Sequence, residues 1–104
     1  MNGDRMKIIF LVYHDVIEDR VSKLLDELKI DYFTEWENVK GKGHNSDAHL
    51  GSRTFPGYNS VRMIAFQDDQ SVNSIIEGVS LINKDVLRED DKVRLFQLPL
   101  EKII

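Results

Sequence analysis

The sequence predicts an α+β domain in which a four-stranded antiparallel sheet carries two helices on one face. Two observations predict this fold. Apolar or alternating segments typical of strands are interleaved with two segments of helical period, in the order β-α-β-β-α-β. A long glycine-containing loop separates the two middle strands, which are otherwise placed to pair as a hairpin. The length of 104 residues fits a single domain over residues 1–104.

The first half of the chain supplies a strand, a helix and a second strand. Lys7–Tyr13 is continuously apolar and rich in β-branched and aromatic residues, which favours a central strand. The helix that follows is predicted to begin at an Asp15 N-cap, with Glu18 completing a capping box. Asp31–Val39 alternates and predicts the second strand. The apolar stripe of the helix has offsets of 4, 7, 8 and 11 residues: Ile17, Val21, Leu24, Leu25 and Leu28.

The second half repeats this order. Ser60–Phe66 alternates and predicts a third strand that pairs with the second. A second helix is predicted to start after an N-cap at Asp68 or Asp69 and to end near Lys84. Residues 85–92 form a charged connector, and Val93–Leu98 predicts the fourth strand before Pro99. The stripe of the second helix is Val72, Ile75, Ile76, Val79 and Ile82.

This element order has a preferred topology. Two right-handed β-α-β crossovers, when interleaved, give the ferredoxin-like arrangement with both helices on the same face of the sheet. The sequence supplies more apolar surface than one sheet face can bury, and we therefore expect a homo-oligomer closed into a ring. The residues behind this expectation are Phe10, Phe33, Ile64, Phe66 and Phe96.

Composition excludes several classes. The net charge of -4 argues against a general nucleic-acid binder. Because the chain has no cysteine, it has neither disulfides nor thiolate metal sites, which is typical of a cytoplasmic protein. The N-terminal apolar run is too short for a membrane span and lacks a signal-peptide pattern. Residues 1–5 match no element, so either Met1 or Met6 serves as the start.

The loop over residues 40–59 is the predicted site of action. It holds four of the six glycines and two of the three histidines. From Val39 through Arg62, four basic residues (Lys40, Lys42, Arg53 and Arg62) stand against Asp47, a net charge of 4 − 1 = +3. A loop of this length is far longer than a hairpin requires, and long loops in compact domains are usually functional or disordered.

Two kinds of ligand fit the loop. The backbone N–H groups of its glycines, with basic side chains nearby, predict an anion or effector site, although the glycines are also explained by turns that need a positive φ. Two imidazoles and a carboxylate predict a divalent transition-metal site at His44, Asp47 and His49, although these residues also suit a solvated loop. The candidate effector-binding residues are Lys40, Gly41, Lys42, Gly43, Arg53 and Arg62.

The remaining loop residues are apolar or aromatic. Leu50, Phe55 and Tyr58 are candidates for docking a partner protein, with packing of the aromatic rings on the core as the alternative. No nucleophile set of the Ser/His/Asp or Cys/His type is present, and we predict no catalytic residues. We therefore expect a binding protein rather than an enzyme.

Three short motifs, in the right order on the right elements, resemble those of the PII signalling superfamily. Residues 39–43, VKGKG, are similar to the VKGxG that opens the long T-loop of PII proteins. Residues 67–69, QDD, resemble the PDD at the start of their second helix. Residues 96–101, FQLPLE, resemble their FVSPVEE, and the resemblance therefore extends over most of the chain.

The resemblance implies a non-enzymatic, cytoplasmic homotrimer. Such a protein binds a small effector, often an adenine nucleotide, between subunits, and its loop docks onto a target protein such as a membrane transporter. Residues 83–92, NKDVLREDDK, depart from the glycine-rich TGxxGDGK that binds phosphates in PII proteins. The HLG at 49–51 and PGYN at 56–59 resemble a small PII-like subgroup associated with heavy-metal efflux. The alternative function is thus divalent-metal binding on a CutA-like architecture, linked to metal tolerance or efflux.

Overall fold

The computed structural model describes residues 6–43, 49–51 and 57–104. Four strands form one sheet in the order β2-β3-β1-β4, and every neighbouring pair is antiparallel. The predicted ferredoxin-like topology is therefore confirmed. The elements are β1 (Lys7–His14), α1 (Glu18–Glu27), β2 (Thr34–Val39), β3 (Asn59–Phe66), α2 (Asp69–Asp85) and β4 (Arg94–Pro99), with 3-10 turns at Asp15–Ile17 and Glu89–Asp91.

The core lies between one sheet face and the two helices. Alternate residues of β1 and β3 point to this side, where Ile9 pairs with Ile64 and both are almost completely buried. The stripes predicted for α1 and α2 supply the opposing surface. Ile64 and Phe66 therefore belong to the helix-covered core, and they do not contribute to the open face.

The predicted start of the first helix is wrong. Asp15 lies in a 3-10 turn, α1 begins at Glu18, and no side chain caps either start. The Asp15 carboxylate instead accepts a hydrogen bond from the backbone N–H of Tyr58 at 3.2 Å. The Glu18 carboxylate is bound to Arg62, so neither acid is available for a capping box. Tertiary contacts have overridden the local capping signal.

The second helix begins as predicted. Asp68 is its N-cap and accepts a hydrogen bond from the backbone N–H of Ser71 at 2.7 Å. This bond with the Ser71 backbone, together with one from the Ser71 hydroxyl, lowers the pKa of Asp68. The opposite end of α2 is tied to β4, because the side chain of Asn83 exchanges two hydrogen bonds with the backbone of Val93.

The second sheet face is open and partly apolar. Phe10 pairs with Phe96 across β1 and β4, and Trp36 pairs with Val61 across β2 and β3. Trp36 and Phe96 keep 45% and 50% of their surface exposed. Large aromatic side chains left this exposed on one face of a sheet are typical of surfaces that another chain covers.

Candidate functional site

The candidate site lies at the end of the sheet where β1 and β2 finish and β3 and β4 begin. Because β1 is antiparallel to β3 and β3 to β2, the last residues of β1 and β2 meet at this end. The loop root, which comprises residues 40–43 and His49, closes over this end of the sheet through an isolated antiparallel bridge. In that bridge, Gly41 and His49 exchange both backbone hydrogen bonds, at 2.9 and 2.7 Å.

A cleft of about 320 Å³ opens beside this bridge. Val39 at the end of β2 and residues 40–43 of the loop form one wall, and the end of β1 and the start of β3 form another. The connector before β4 and the first residues of β4 complete the lining with Asp90, Lys92, Arg94 and Phe96. With His49, five separate stretches of the chain line the cleft.

The cleft is basic in a protein that is acidic overall. Its charged lining residues are Lys40, Lys42, Lys92 and Arg94 against Asp90, which gives 4 − 1 = +3 with histidines neutral. Glu89 partly offsets this charge, because its carboxylate lies 2.9 Å from the Lys92 ammonium. The Glu89 side chain is itself highly exposed, so that this pair is weak. The remaining positive charge favours an anionic ligand.

Two histidines stack at the back of the cleft. The rings of His14, at the end of β1, and His49 lie 4.1 Å apart between centroids and are nearly parallel, at 8°. Nδ1 of His14 is 3.0 Å from an oxygen of Asp91, and Nδ1 of His49 is 2.8 Å from the side-chain oxygen of Asn59. These contacts join β1, the loop root, β3 and the connector into one cluster.

His14 has an unusual environment on its second nitrogen. Nε2 is buried and has no hydrogen-bond partner among the described residues. It lies 3.2 Å from Asp15 Oδ1, close enough for electrostatic attraction although the geometry is not that of a hydrogen bond. Gly57 covers this nitrogen at a positive φ of 82°, and a Cβ on Gly57 would lie only 2.0 Å from Nε2. Glycine is therefore required here for both space and backbone conformation.

The structure brings together most of the described loop residues that the sequence singled out. Lys40, Gly41, Lys42, Gly43 and His49 all line the cleft. The other predicted residues Arg53, His44, Asp47 and Phe55 lie outside the described residues.

Leu50 and Tyr58, the described members of the predicted partner-docking set, are both half-buried. The backbone of Tyr58 is bound to Asp15, since its carbonyl accepts from the Asp15 N–H at 2.9 Å and its own N–H donates to the Asp15 side chain. The Tyr58 ring lies directly beside Gly51. This end of the loop is thus packed against the body of the protein.

Arg62 lies apart from the cleft, on the helix-covered side of the sheet. Its guanidinium donates to Glu18 at 2.6 Å and to the Ser22 hydroxyl at 2.8 Å, and Nη2 lies 3.2 Å from Glu35. It also stacks on Phe33, 4.7 Å from the ring centroid. With only 5% of its side chain exposed, Arg62 holds α1 and β2 against the sheet and is not placed to meet a ligand in the cleft.

Tyr13 belongs to the same buried network. Its hydroxyl donates to Glu18 and accepts a hydrogen bond from Arg62 Nε at 3.1 Å. Burial raises the pKa of the Tyr13 hydroxyl, and the bond to the Glu18 carboxylate raises it further. Tyr13 therefore stays neutral and serves as a hydrogen-bond partner in the core.

Sequence reasoning missed the half of the cleft that does not come from the loop. His14, Asp90, Lys92 and Arg94 line the cleft, and each lies at an element end or in the connector. The predicted strand order could have indicated these residues, because β1 and β2 end at the same end of the sheet where β3 and β4 begin. The connector departs from the phosphate-binding pattern of PII proteins, yet Lys92 at its end and Arg94 at the start of β4 line the cleft.

Comparison with known proteins gives a fold but no close relative. No protein-family model matches the sequence, and no curated protein matches it. Solved structures of CPII, a nitrogen regulatory PII-like protein from Thiomonas intermedia K12, do match. The structure of CPII bound to ADP and bicarbonate has 15% identity, covers 93% of this chain and 89% of CPII, and superposes with a TM-score of 0.66.

Two further CPII structures agree. The one bound to ADP, AMP and acetate has 16% identity, 88% and 82% coverage and a TM-score of 0.64. The one bound to ADP, AMP and bicarbonate has 17% identity, 95% and 96% coverage and a TM-score of 0.61. In the part of the chain that the structure describes, no helix is long and apolar enough to span a membrane. The resemblance expected from the three motifs is thus confirmed at the level of the fold, which is that of the PII-like nitrogen regulatory proteins.

Proposed function

We propose that this chain is a PII-like regulatory protein that binds a small anionic effector, such as an adenine nucleotide, in the cleft at the loop root. The observation that carries the proposal is the basic cleft formed by Lys40, Lys42, Lys92 and Arg94 in an acidic protein. The CPII structures of the same fold contain ADP, AMP and bicarbonate, and all three belong to the ligand class that such a cleft favours. The protein acts by binding rather than by catalysis.

The loop root explains how binding is transmitted. Residues 40–43 line the cleft directly, and the Gly41–His49 bridge connects that wall to the rest of the loop. A ligand that contacts both the loop root and the connector favours the loop conformation in which these segments are closest. A target protein that recognises that conformation, such as a membrane transporter, then reads the effector level in the cytoplasm.

The open face of the sheet supports a homotrimer as the working unit. Trp36, Phe96 and Leu98 are about half exposed on this face, and a closed ring covers them without leaving free edges. Arg94 and Phe96 line the cleft and belong to β4, an edge strand of the sheet. A neighbouring subunit on this face would therefore lie next to the cleft and complete the effector site.

Calorimetric titration with ADP, AMP, ATP and bicarbonate tests the proposal. We expect a nucleotide to bind the wild-type protein and the Lys40→Ala, Lys42→Ala double variant to bind at least about tenfold more weakly, because each lost hydrogen bond to a charged group costs ~1.5–3 kcal/mol. The matched control is Lys23→Ala with Lys84→Ala, two exposed helix lysines outside the cleft. Absence of binding by every ligand, or equal affinity in both double variants, would contradict the proposal.

A further inference from the structure

We infer that His14, His49 and Asp91 form a site for a divalent transition-metal ion such as Zn²⁺. One ligand atom from each residue lies within 4.8 Å of the others. Only His49 belongs to the triad expected from the sequence, and the structure gives it two different partners. The inference concerns a cation and goes beyond the proposed anionic effector.

The spacing between His14 and Asp91 is close to what one ion requires. Ligands about 2.05 Å from a tetrahedral zinc ion are about 3.3 Å apart, and the 3.0 Å between His14 Nδ1 and Asp91 Oδ1 is already near this edge length. Bringing the full spread of 4.8 Å to this tetrahedral edge requires a closure of about 1.5 Å, and one of the two stacked rings must turn so that both nitrogens point at the same ion.

The neighbours of the two rings select the nitrogens that bind. If the ion takes Nδ1 of His14, the ring proton lies on Nε2, which is buried beside Asp15 Oδ1 at 3.2 Å and has no hydrogen-bond partner among the described residues. A carboxylate behind a metal-binding histidine is the usual supporting arrangement. Asn59 plays the same part for His49, since its oxygen is 2.8 Å from Nδ1 and leaves Nε2 as the ligand atom.

The ligand chemistry favours borderline transition metals over hard cations. Two imidazoles and one carboxylate suit Zn²⁺, Co²⁺, Ni²⁺ and Cu²⁺, whereas Mg²⁺ and Ca²⁺ require mainly oxygen ligands. Three protein ligands also leave a tetrahedral ion one position for water or another donor. The site is shielded, because His49 is 8% exposed and the side chains of His14 and Asp91 are 16% and 21% exposed.

Binding of an ion would have a structural consequence. His14 ends β1, His49 lies in the loop root, and Asp91 belongs to the connector before β4. One ion would therefore join three segments that are far apart in the chain. Because the ion binds only the folded arrangement, we expect Zn²⁺ to raise the melting temperature.

Calorimetric titration of the full chain with Zn²⁺ tests the site. We expect one ion per chain, and at least tenfold weaker binding in His14→Gln, His49→Gln and Asp91→Asn. The control Asp85→Asn removes an exposed carboxylate of α2 and should leave Zn²⁺ affinity unchanged. The Co²⁺ complex should show the strong visible d–d absorption of tetrahedral coordination, and Mg²⁺ should not compete.

A comparison of two sets of variants distinguishes this site from the loop triad that the sequence predicted. The pair His44→Gln with Asp47→Asn removes the other two members of the loop triad. Loss of Zn²⁺ binding in that pair, with full affinity retained in Asp91→Asn, would overturn the inference, as would absence of Zn²⁺ binding by the wild-type protein. If the histidine variants fail to fold, the isosteric Asp91→Asn variant decides alone, and unchanged affinity would count against the site.

Discussion

The imidazole rings of His14 and His49 stack with their centroids 4.1 Å apart and their planes 8° from parallel. The contact joins the last residue of β1 to the root of a loop that starts 26 residues later in the sequence, at Lys40 (40 − 14 = 26). Together with the Asn59 hydrogen bond to His49, it holds the loop root against the sheet edge. The loop root is therefore fixed against the end of the sheet, as the proposed transmission of ligand binding requires.

Removing this contact should loosen the loop root without unfolding the domain. In His49→Ala, we expect the amides of Gly41 and residue 49, which are paired in the bridge, to exchange hydrogen faster by about an order of magnitude or more, because local opening costs less when packing is lost. Hydrogen-exchange mass spectrometry measures this, with α2 as the internal reference. Unchanged protection of the bridge amides would show that the stack does not hold the root.

Arg62 should matter for stability and not for the cleft. Arg62→Ala leaves Glu18 without its 2.6 Å partner; because Arg62 is buried and Glu18 is 29% exposed, we expect a cost of about 3 kcal/mol, the lower end of the range for buried pairs. The matched control is Arg20→Ala, whose exposed pair with Asp85 is worth less than ~1 kcal/mol. Urea unfolding of both variants measures the difference, and equal losses in the two would contradict the structural role of Arg62.

How far the sequence predicts this protein differs between the fold and the site. The alternation already grouped Arg62 with Ile64 and Phe66, the core side of β3, so the burial of Arg62 was present in the pattern. The contact between His14 and Asp91 could not be predicted from such a local pattern. His14 and Asp91 are 77 residues apart, and only the register of the sheet brings them together.

Capping shows the same limit at the level of single residues. Asp68 and Asp15 are equally good N-cap residues by type, and only Asp68 caps a helix. The Asp15 side chain is taken by Tyr58, which arrives from a segment 43 residues away. A residue type that favours an N-cap therefore predicts the cap only where no distant segment binds the same side chain.

The Asp68 cap should make stability sensitive to acid. Its folded pKa is lowered by hydrogen bonds with Ser71, so its contribution is present above the unfolded pKa of about 3.9 and is lost as the pH falls through the lower folded value. Asp68→Asn keeps a capping oxygen but does not titrate. We expect the wild-type advantage over this variant, measured by urea unfolding, to be present near neutral pH and to shrink steadily below about pH 4. A difference that is independent of pH would contradict the assignment.

The exposed aromatics of the sheet should hold the oligomer together. Phe96→Asp introduces a charge on the open face, and we expect light scattering to show dissociation to monomers because an unpaired buried charge is costly. Leu81→Asp is the control, since Leu81 is 62% exposed but lies on α2 at the opposite side of the sheet. A wild-type monomer, or an oligomer that survives Phe96→Asp, would contradict assembly through this face.

Amide chemical-shift mapping with ADP tests the central claim, an anionic effector at the loop root, most directly. The account predicts that the largest ¹⁵N–¹H shifts fall on residues 40–43, His49, Asn59 and 90–94, which surround the basic cleft. Another cleft, between α1 and α2, provides the internal comparison. Shifts centred on Lys23 and Gly78 in that second cleft, or no shifts at saturating ADP, would contradict it.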